Sequence, residues 1–158
     1  MVVLVRIDDR LIHGQVIVGW GSRLHPDRIL LANDEVAENP WERDLYVSVA
    51  PPDIEVCVST VKEAVRKIQK EQEEDKRRTI LLVSSPRDAL RLVEYGAPIQ
   101  EINVGGLHFR EGRRQILPFV FADQTDIEAF RSLLQRGVQL ECRDVPTCRR
   151  TELEKVLQ

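Results

Sequence analysis

An α/β fold is what the sequence predicts: an open, mostly parallel twisted sheet with helices on both faces and a small β-hairpin in the C-terminal part. Three observations lead there. Six short apolar runs rich in β-branched residues recur along the chain, and continuous apolarity is the mark of strands buried on both faces. Segments with apolar residues at helical spacing separate those runs. The alternation of the two patterns implies crossover connections, and hence parallel pairing.

The runs lie at residues 2–7, 28–32, 54–59, 79–84, 101–104 and 138–143. After the first, Val16, Ile17, Trp20 and Leu24 share one helical face. Gly19 and Gly21 flank Trp20, and each costs about 1 kcal/mol of helix propensity, so this helix is either frayed or closely packed there. Pro40 marks a helix start after the second run, a position that tolerates a missing N–H. Val61, Ala64, Val65 and Ile68 follow the third run; Ala89, Leu90, Leu92 and Val93 follow the fourth. Ser85-Pro86-Arg87-Asp88 reads as a capping-box start with Asp in the place of Glu. Ile127, Phe130, Leu133 and Leu134 precede the last run, and Leu153, Val156 and Leu157 close the chain. Gly96 and Gly137 sit just past helical patterns, where a left-handed cap is wanted. Two regions break the rhythm. The charged run at 70–78 reads as a solvated helix end and loop, and 107–121 reads as a β-hairpin turning at Glu111-Gly112.

The chain of 158 residues is read as a single domain, 1–158, with no internal repeat or linker. A net charge of −3 argues against a generally basic nucleic-acid binder. An aromatic content of 5% argues against a base-stacking surface. No apolar run reaches the roughly 18 residues of a membrane span, and the N-terminus lacks the order of a signal peptide. A cytoplasmic location is expected. Cys57, Cys142 and Cys148 are odd in number and irregular in spacing, which suits neither a disulfide framework nor a zinc site.

The segment that carries chemistry is Arg6-Ile7-Asp8-Asp9-Arg10-Leu11-Ile12-His13-Gly14-Gln15-Val16, between the first strand and the first helix. Ligands of open α/β sheets bind beyond the carboxyl ends of strands. His13 is the one good nucleophile of the loop near neutral pH. Gly14 lets the backbone approach an anion, the helix beginning near Gln15 offers free N–H groups, and Arg10 can fork onto phosphate oxygens. Asp8 and Asp9 are placed to orient Arg10 or to hold the His13 tautomer. Gln15 serves either as a hydrogen-bond donor at the site or as an ordinary first-turn residue. The loop holds neither a dinucleotide fingerprint nor a P-loop. Elsewhere, Asp34 is read as a helix N-cap near this loop, Ser84 and Ser85 as caps or phosphate contacts, and Asn103 with Gly105-Gly106 as a neighbouring turn. His25 is a loop residue on the opposite side of the sheet. His108 is a surface residue, and Arg110, Arg113 and Arg114 form either a basic patch or a solvated hairpin.

The motif Val5-Arg6-Ile7-Asp8-Asp9-Arg10-Leu11-Ile12-His13-Gly14-Gln15-Val16 resembles the opening of the IIB components of the mannose/fructose/sorbose family of the bacterial sugar phosphotransferase system. Four further segments resemble that family in order: residues 31–37, 85–96, 101–106, and 126–138 with Val145-Pro146. The resemblance implies a phosphocarrier. A phosphohistidine of a IIA protein donates its phosphoryl group to His13, on Nδ1, with Arg10 steadying it. The group then passes to a sugar imported by the membrane components IIC and IID. The resemblance further implies no metal or organic cofactor, a place at the inner face of the membrane through the permease, and a capacity for homo-oligomers. An alternative is a regulatory phosphohistidine protein of the same family without a cognate sugar transporter.

Overall fold

The computed structural model describes residues 1–71 and 74–157. Seven strands form one sheet in the order β3-β2-β4-β1-β5-β8-β9. They are β1 (Val2–Asp8), β2 (Arg28–Ala32), β3 (Glu55–Ser59), β4 (Thr79–Val83), β5 (Glu101–Gly106), β8 (Gln139–Cys142) and β9 (Thr151–Glu152). All neighbours pair in parallel except β8 with β9. β6 (Arg114–Leu117) and β7 (Val120–Ala122) form a separate antiparallel hairpin. The mostly parallel sheet and the hairpin agree with the fold read from the sequence.

Helices cover both faces. On one face α4 (Val61–Glu71), α5 (Pro86–Glu94) and α6 (Gln124–Gln135) pack Val61, Val65, Leu92, Phe130 and Leu133 against Ile7, Leu30, Leu81 and Val104. On the other, a π-helical turn (Gln15–Trp20) runs into α1 (Gly21–Leu24), followed by α2 (Asp34–Glu38) and α3 (Pro40–Ser48). There Val16, Trp20 and Val36 meet Ile29, Leu31, Ile80 and Leu82. A short α7 (Leu153–Val156) ends the described chain. β1 lies between β4 and β5, and its own connection leaves on the opposite face from theirs. The carboxyl end of β1 therefore opens onto a crevice at a topological switch.

Local chemistry explains most boundaries. Asn39, Ser85 and Asp123 cap α3, α5 and α6, and Asp123 with Asp126 makes a reciprocal capping box, a device worth about 1 kcal/mol. Gly96 and Gly137 take the left-handed conformation expected of them. Ser85 accepts from Asp88 N–H, while the Asp88 carboxylate bonds Arg91 in place of completing the box.

Three expectations change. The hairpin turns at Pro118-Phe119; Glu111-Gly112 belongs to a separate turn ahead of β6, closed by Arg113 N–H to Arg110 C=O. Asn33, not Asp34, caps α2; Asp34 instead accepts from Val61 N–H at the head of α4 and pairs with Arg91. Gly105-Gly106 ends strand β5 and is no turn. Of the two alternatives at Trp20, the packed one holds: a Cβ at Gly19 would come into van der Waals contact with Val145 Cγ1 at 3.4 Å, and one at Gly21 with Val16 C=O at 3.5 Å. Of the charged run at 70–78, Lys70 and Glu71 close α4, and residues 72–73 lie outside the described residues.

Candidate functional site

Alternation along three neighbouring strands builds the floor of the crevice. In β1, Val5 and Ile7 enter the apolar core, so Arg6 and Asp8 point to the other face. In β5 and β8, Ile102, Val104, Leu140 and Cys142 do the same, and Asn103 and Glu141 point with Arg6. Strand register places Arg6 beside Asn103 and Asn103 beside Glu141. The outcome is a buried polar row. Arg6 Nη1 donates to Asn103 Oδ1 at 2.6 Å, and Asn103 Nδ2 donates to Glu141 Oε1 at 3.0 Å. The row is roofed by Trp20, with Arg6 and Arg143 over its ring at 5.6 and 5.2 Å.

Asp8 ends the row and is fully buried. Its carboxylate accepts five donors. Oδ1 takes Arg10 N–H and Nε, both at 3.0 Å. Oδ2 takes Arg6 Nη2 and Arg10 Nη2, both at 2.8 Å, and lies 3.0 Å from His13 Nε2. Burial alone would push this carboxyl up, but hydrogen bonds from His13 and Arg10 and the charge of Arg6 hold it well below the usual carboxylate range. Burial in turn pulls the Arg6 guanidinium down, against the opposing pull of Asp8 and Asp144. The Arg10 guanidinium is pushed up, chiefly by its hydrogen bond to Asp8.

An ionised carboxylate can only accept, so the neutral His13 ring must carry its proton on Nε2. That leaves the lone pair on Nδ1, and Gln15 N–H donates to it at 3.2 Å. The backbone reaches this arrangement through Leu11, which takes a left-handed conformation (φ 60°) with its side chain buried. Leu11 N–H closes the turn on Asp8 C=O at 3.0 Å. This reversal returns His13 to Asp8, the residue five positions earlier. Gly14 has ordinary helical dihedrals, and a Cβ there would meet nothing within 4 Å. The position is exposed and opens onto free space.

Glycine has a different use in β5. A Cβ on Gly105 would lie 1.9 Å from Arg6 Cζ, and one on Gly106 would lie 3.0 Å from Arg10 Nη2. These residues give the two guanidiniums their space.

The structure thus brings Asp8, Arg10, His13, Gly14 and the backbone of Gln15 together. Asp9 is turned away. Its carboxylate takes His108 N–H at 2.9 Å, lies 2.5 Å from His108 Nδ1 and pairs with Arg113 at 3.4 Å. Arg113 also pairs with Asp126, and its side chain is only 8% exposed, so Arg110, Arg113 and Arg114 do not form one patch. Sequence reading passed over Arg6, Asn103 as a site partner, Glu141 and Asp144. Asp144 Oδ1 accepts from Arg10 Nη2 at 2.9 Å, and its carbonyl accepts from Arg6 Nη2 and Trp20 Nε1. The available signal was alternation: Arg6 and Asp8 sit two apart at the end of an otherwise apolar β1, and Glu141 alternates with Leu140 and Cys142 in β8.

Comparison with known proteins decides the family. The model of the PTS system sorbose subfamily IIB component matches residues 2–158. The chain belongs to the sorbose-type IIB family. It is 35% identical over 157 residues to the fructose-specific EIIB component of Bacillus subtilis, covering 99% of this chain and 96% of that one. It is 42% identical over 144 residues to the mannose-specific EIIAB component of Escherichia coli, covering 91% of this chain but 44% of the relative, so it spans less than half of that protein. The IIBSor domain of the sorbose permease from Klebsiella pneumoniae superposes with a TM-score of 0.92 at 35% identity, covering 99% of this chain and 96% of the other. As a IIB component the chain is of the phosphotransferase class. Among its described residues no helix is long and apolar enough to cross a membrane.

Proposed function

We propose that this chain, one IIB unit over residues 1–158, is a cytoplasmic phosphocarrier that receives a phosphoryl group on His13 Nδ1 from a phosphohistidine of a IIA partner. It then transfers the group to a sugar imported through IIC and IID membrane partners, at whose inner face it docks. One observation carries the reading. Asp8 binds the Nε2 side of the ring, so the nucleophilic lone pair falls on Nδ1, beside a backbone N–H and next to open space. The His13 side chain is 17% exposed, enough for a donor protein to reach it. The name of the Escherichia coli relative, an EIIAB component, joins an A part to the B part, which supports a IIA partner.

Each residue has a task. Neutral His13 attacks phosphorus and keeps its Nε2 proton, which it donates in a hydrogen bond to Asp8, so the imidazolium-like charge that develops on phosphorylation meets a carboxylate. Arg10, clamped by Asp8 at two points, presents positive charge to the equatorial oxygens, where phosphoryl transfer gains most from electrostatic stabilisation. Gln15 N–H, freed from Nδ1 by the new bond, is placed to bond a phosphoryl oxygen. Gly14 keeps the approach open. The experiment is incubation with a phosphorylated IIA protein followed by intact-mass measurement. One acid-labile phosphoryl group is expected on the wild type and none on His13→Ala. A label that survives in His13→Ala refutes the reading.

A further inference from the structure

Asp144 places a second carboxylate on the arginine that faces the phosphoryl group. Arg10 Nη2 contacts Asp8 Oδ2 at 2.8 Å and Asp144 Oδ1 at 2.9 Å. The two carboxylates differ. The Asp8 side chain is fully buried and locked by five donors, whereas those of Asp144 and Arg10 are 29% and 27% exposed. Asp144 is therefore the partner that an incoming anion can displace. The fixed charges of the cluster are Arg6, Arg10 and Arg143 against Asp8, Asp144 and Glu141, three of each sign. A transferred phosphoryl group of charge near about −2 arrives at a site already neutral.

We propose that Asp144 is a positioning residue that competes with the phosphoryl group for Arg10 and so keeps the phosphorylated state exchangeable. This rests on His13 being the acceptor. In the transfer step the P–N bond to the donor histidine breaks and its electron pair returns to that imidazole. The Nδ1 lone pair of His13 forms the new P–N bond, and the Nε2 proton stays on His13. Phosphoryl oxygens then take the Arg10 donor that Asp144 held. When the group departs to the next acceptor, Asp144 takes the donor back. A carrier needs this balance: with Arg10 uncontested, the group would be held too firmly to pass on.

The geometry separates the side chain from the backbone here. The Asp144 carbonyl accepts from Arg6 at 2.9 Å and from Trp20 at 3.0 Å. These bonds survive any substitution of the side chain, and Asp8 continues to clamp Arg10. Removing the carboxylate thus changes charge competition at Arg10 and, on the scaffold side, gives up only the 3.5 Å contact with Arg6, which keeps Asp8 at 2.8 Å.

The test is the equilibrium partition of phosphoryl between a phosphorylated IIA protein and this chain, read by intact mass, for wild type, Asp144→Asn and Asp144→Glu. Removing one partly exposed like charge from beside the phosphoryl group is expected to shift the partition toward this chain by about three- to tenfold. Asp144→Glu should return it to within about twofold of wild type. Loss of phosphoryl from isolated, phosphorylated Asp144→Asn to a fresh unphosphorylated IIA protein should slow by a similar factor. Wild type that labels on His13 while Asp144→Asn leaves the partition unchanged, or moves it toward IIA, overturns the inference alone. Wild type that takes no label, or labels elsewhere, overturns the reading on which it rests. Asp144→Ser serves if the Asn variant does not fold; failure of both to fold makes Asp144 a structural residue and also overturns the inference.

Discussion

Asp8→Asn is the most revealing single change, because it is nearly isosteric and removes the charge on which the whole site converges. The carboxylate accepts two donors at Oδ1 and three at Oδ2. An amide offers one acceptor oxygen, so whichever way it turns, at least two N–H groups face another N–H. The least costly orientation keeps oxygen at the Oδ2 position and leaves Arg10 N–H and Nε opposed. Arg6 then has no contacting anion closer than Asp144 at 3.5 Å. Arg6 is fully buried, and its Nε already lacks a hydrogen-bond partner among the described residues. Removing one partner of a buried ion pair costs about 3–5 kcal/mol. For a chain of this length that corresponds to a fall in Tm of about 6–20 °C.

The same variant has a pH signature. The Asp8 carboxyl is held below its ordinary value in the folded state, so the native protein prefers the ionised form. Its contribution is complete above the unfolded value near about 4 and is lost as pH falls below it toward the folded value. The stability gap between wild type and Asp8→Asn should be full at pH 7 and narrower at pH 3, while other carboxylates cancel in the difference. Urea denaturation followed by circular dichroism at the two pH values measures it. A gap under about 1 kcal/mol at pH 7, or one that does not narrow in acid, would refute the claim that an ionised Asp8 is the electrostatic centre of the site.

Three further outcomes are expected. Gly105→Ala should cost at least about 3 kcal/mol in denaturant titrations, because the methyl would occupy the place of the buried Arg6 guanidinium. Gly14→Ala should fold within about 1 kcal/mol of wild type, since its Cβ meets nothing, yet slow phosphoryl transfer from a IIA protein in rapid-quench assays. Asp9→Asn should leave transfer through His13 within about threefold of wild type while raising amide exchange in residues 107–113, whose anchor on this loop is the Asp9 carboxylate.

The legible parts of this protein were those in which local pattern and tertiary role agree. β2 and β4 are apolar on both faces and read directly as buried strands. α4 and α5 have sharply segregated faces and real caps. α3 was harder: it buries none of its residues, so no apolar stripe announced it beyond the start at Pro40. The hairpin was misplaced because Glu111-Gly112 carries a strong turn signal, and Gly112 does take a positive φ. That turn is local, however, and the strands are joined by Pro118-Phe119, a weaker signal. At the site, His13 and Arg10 stood out through their residue types and their place after β1. The division of labour between Asp8 and Asp9 did not. It depends on strand alternation, which sends Asp8 inward, and on the reversal at Leu11, which a non-glycine residue in left-handed geometry does not advertise. Asp144 lies 131 positions beyond His13 in the sequence, and only the β5–β8 register brings it to Arg10.

The gradient of burial across the site explains how one short loop can be both rigid and open. Arg6, Asn103 and Glu141 are buried and in register, so they fix Asp8 from below with strand precision. Asp8 then fixes Arg10 and the tautomer of His13, which remain partly exposed to approaching proteins. The fold accepts costs to do this. Leu11 is held in a left-handed conformation that disfavours a branched side chain by about 1 kcal/mol, and Arg6 leaves a buried N–H unmatched at about 1–3 kcal/mol. A sheet optimised only for stability would place apolar residues along this row, as its opposite face does. The proposed function gives the polar row its purpose: a carrier of that kind must hold its nucleophilic nitrogen in one orientation while no substrate is present to hold it. Preorganisation of that kind has to be built from groups that never touch the substrate.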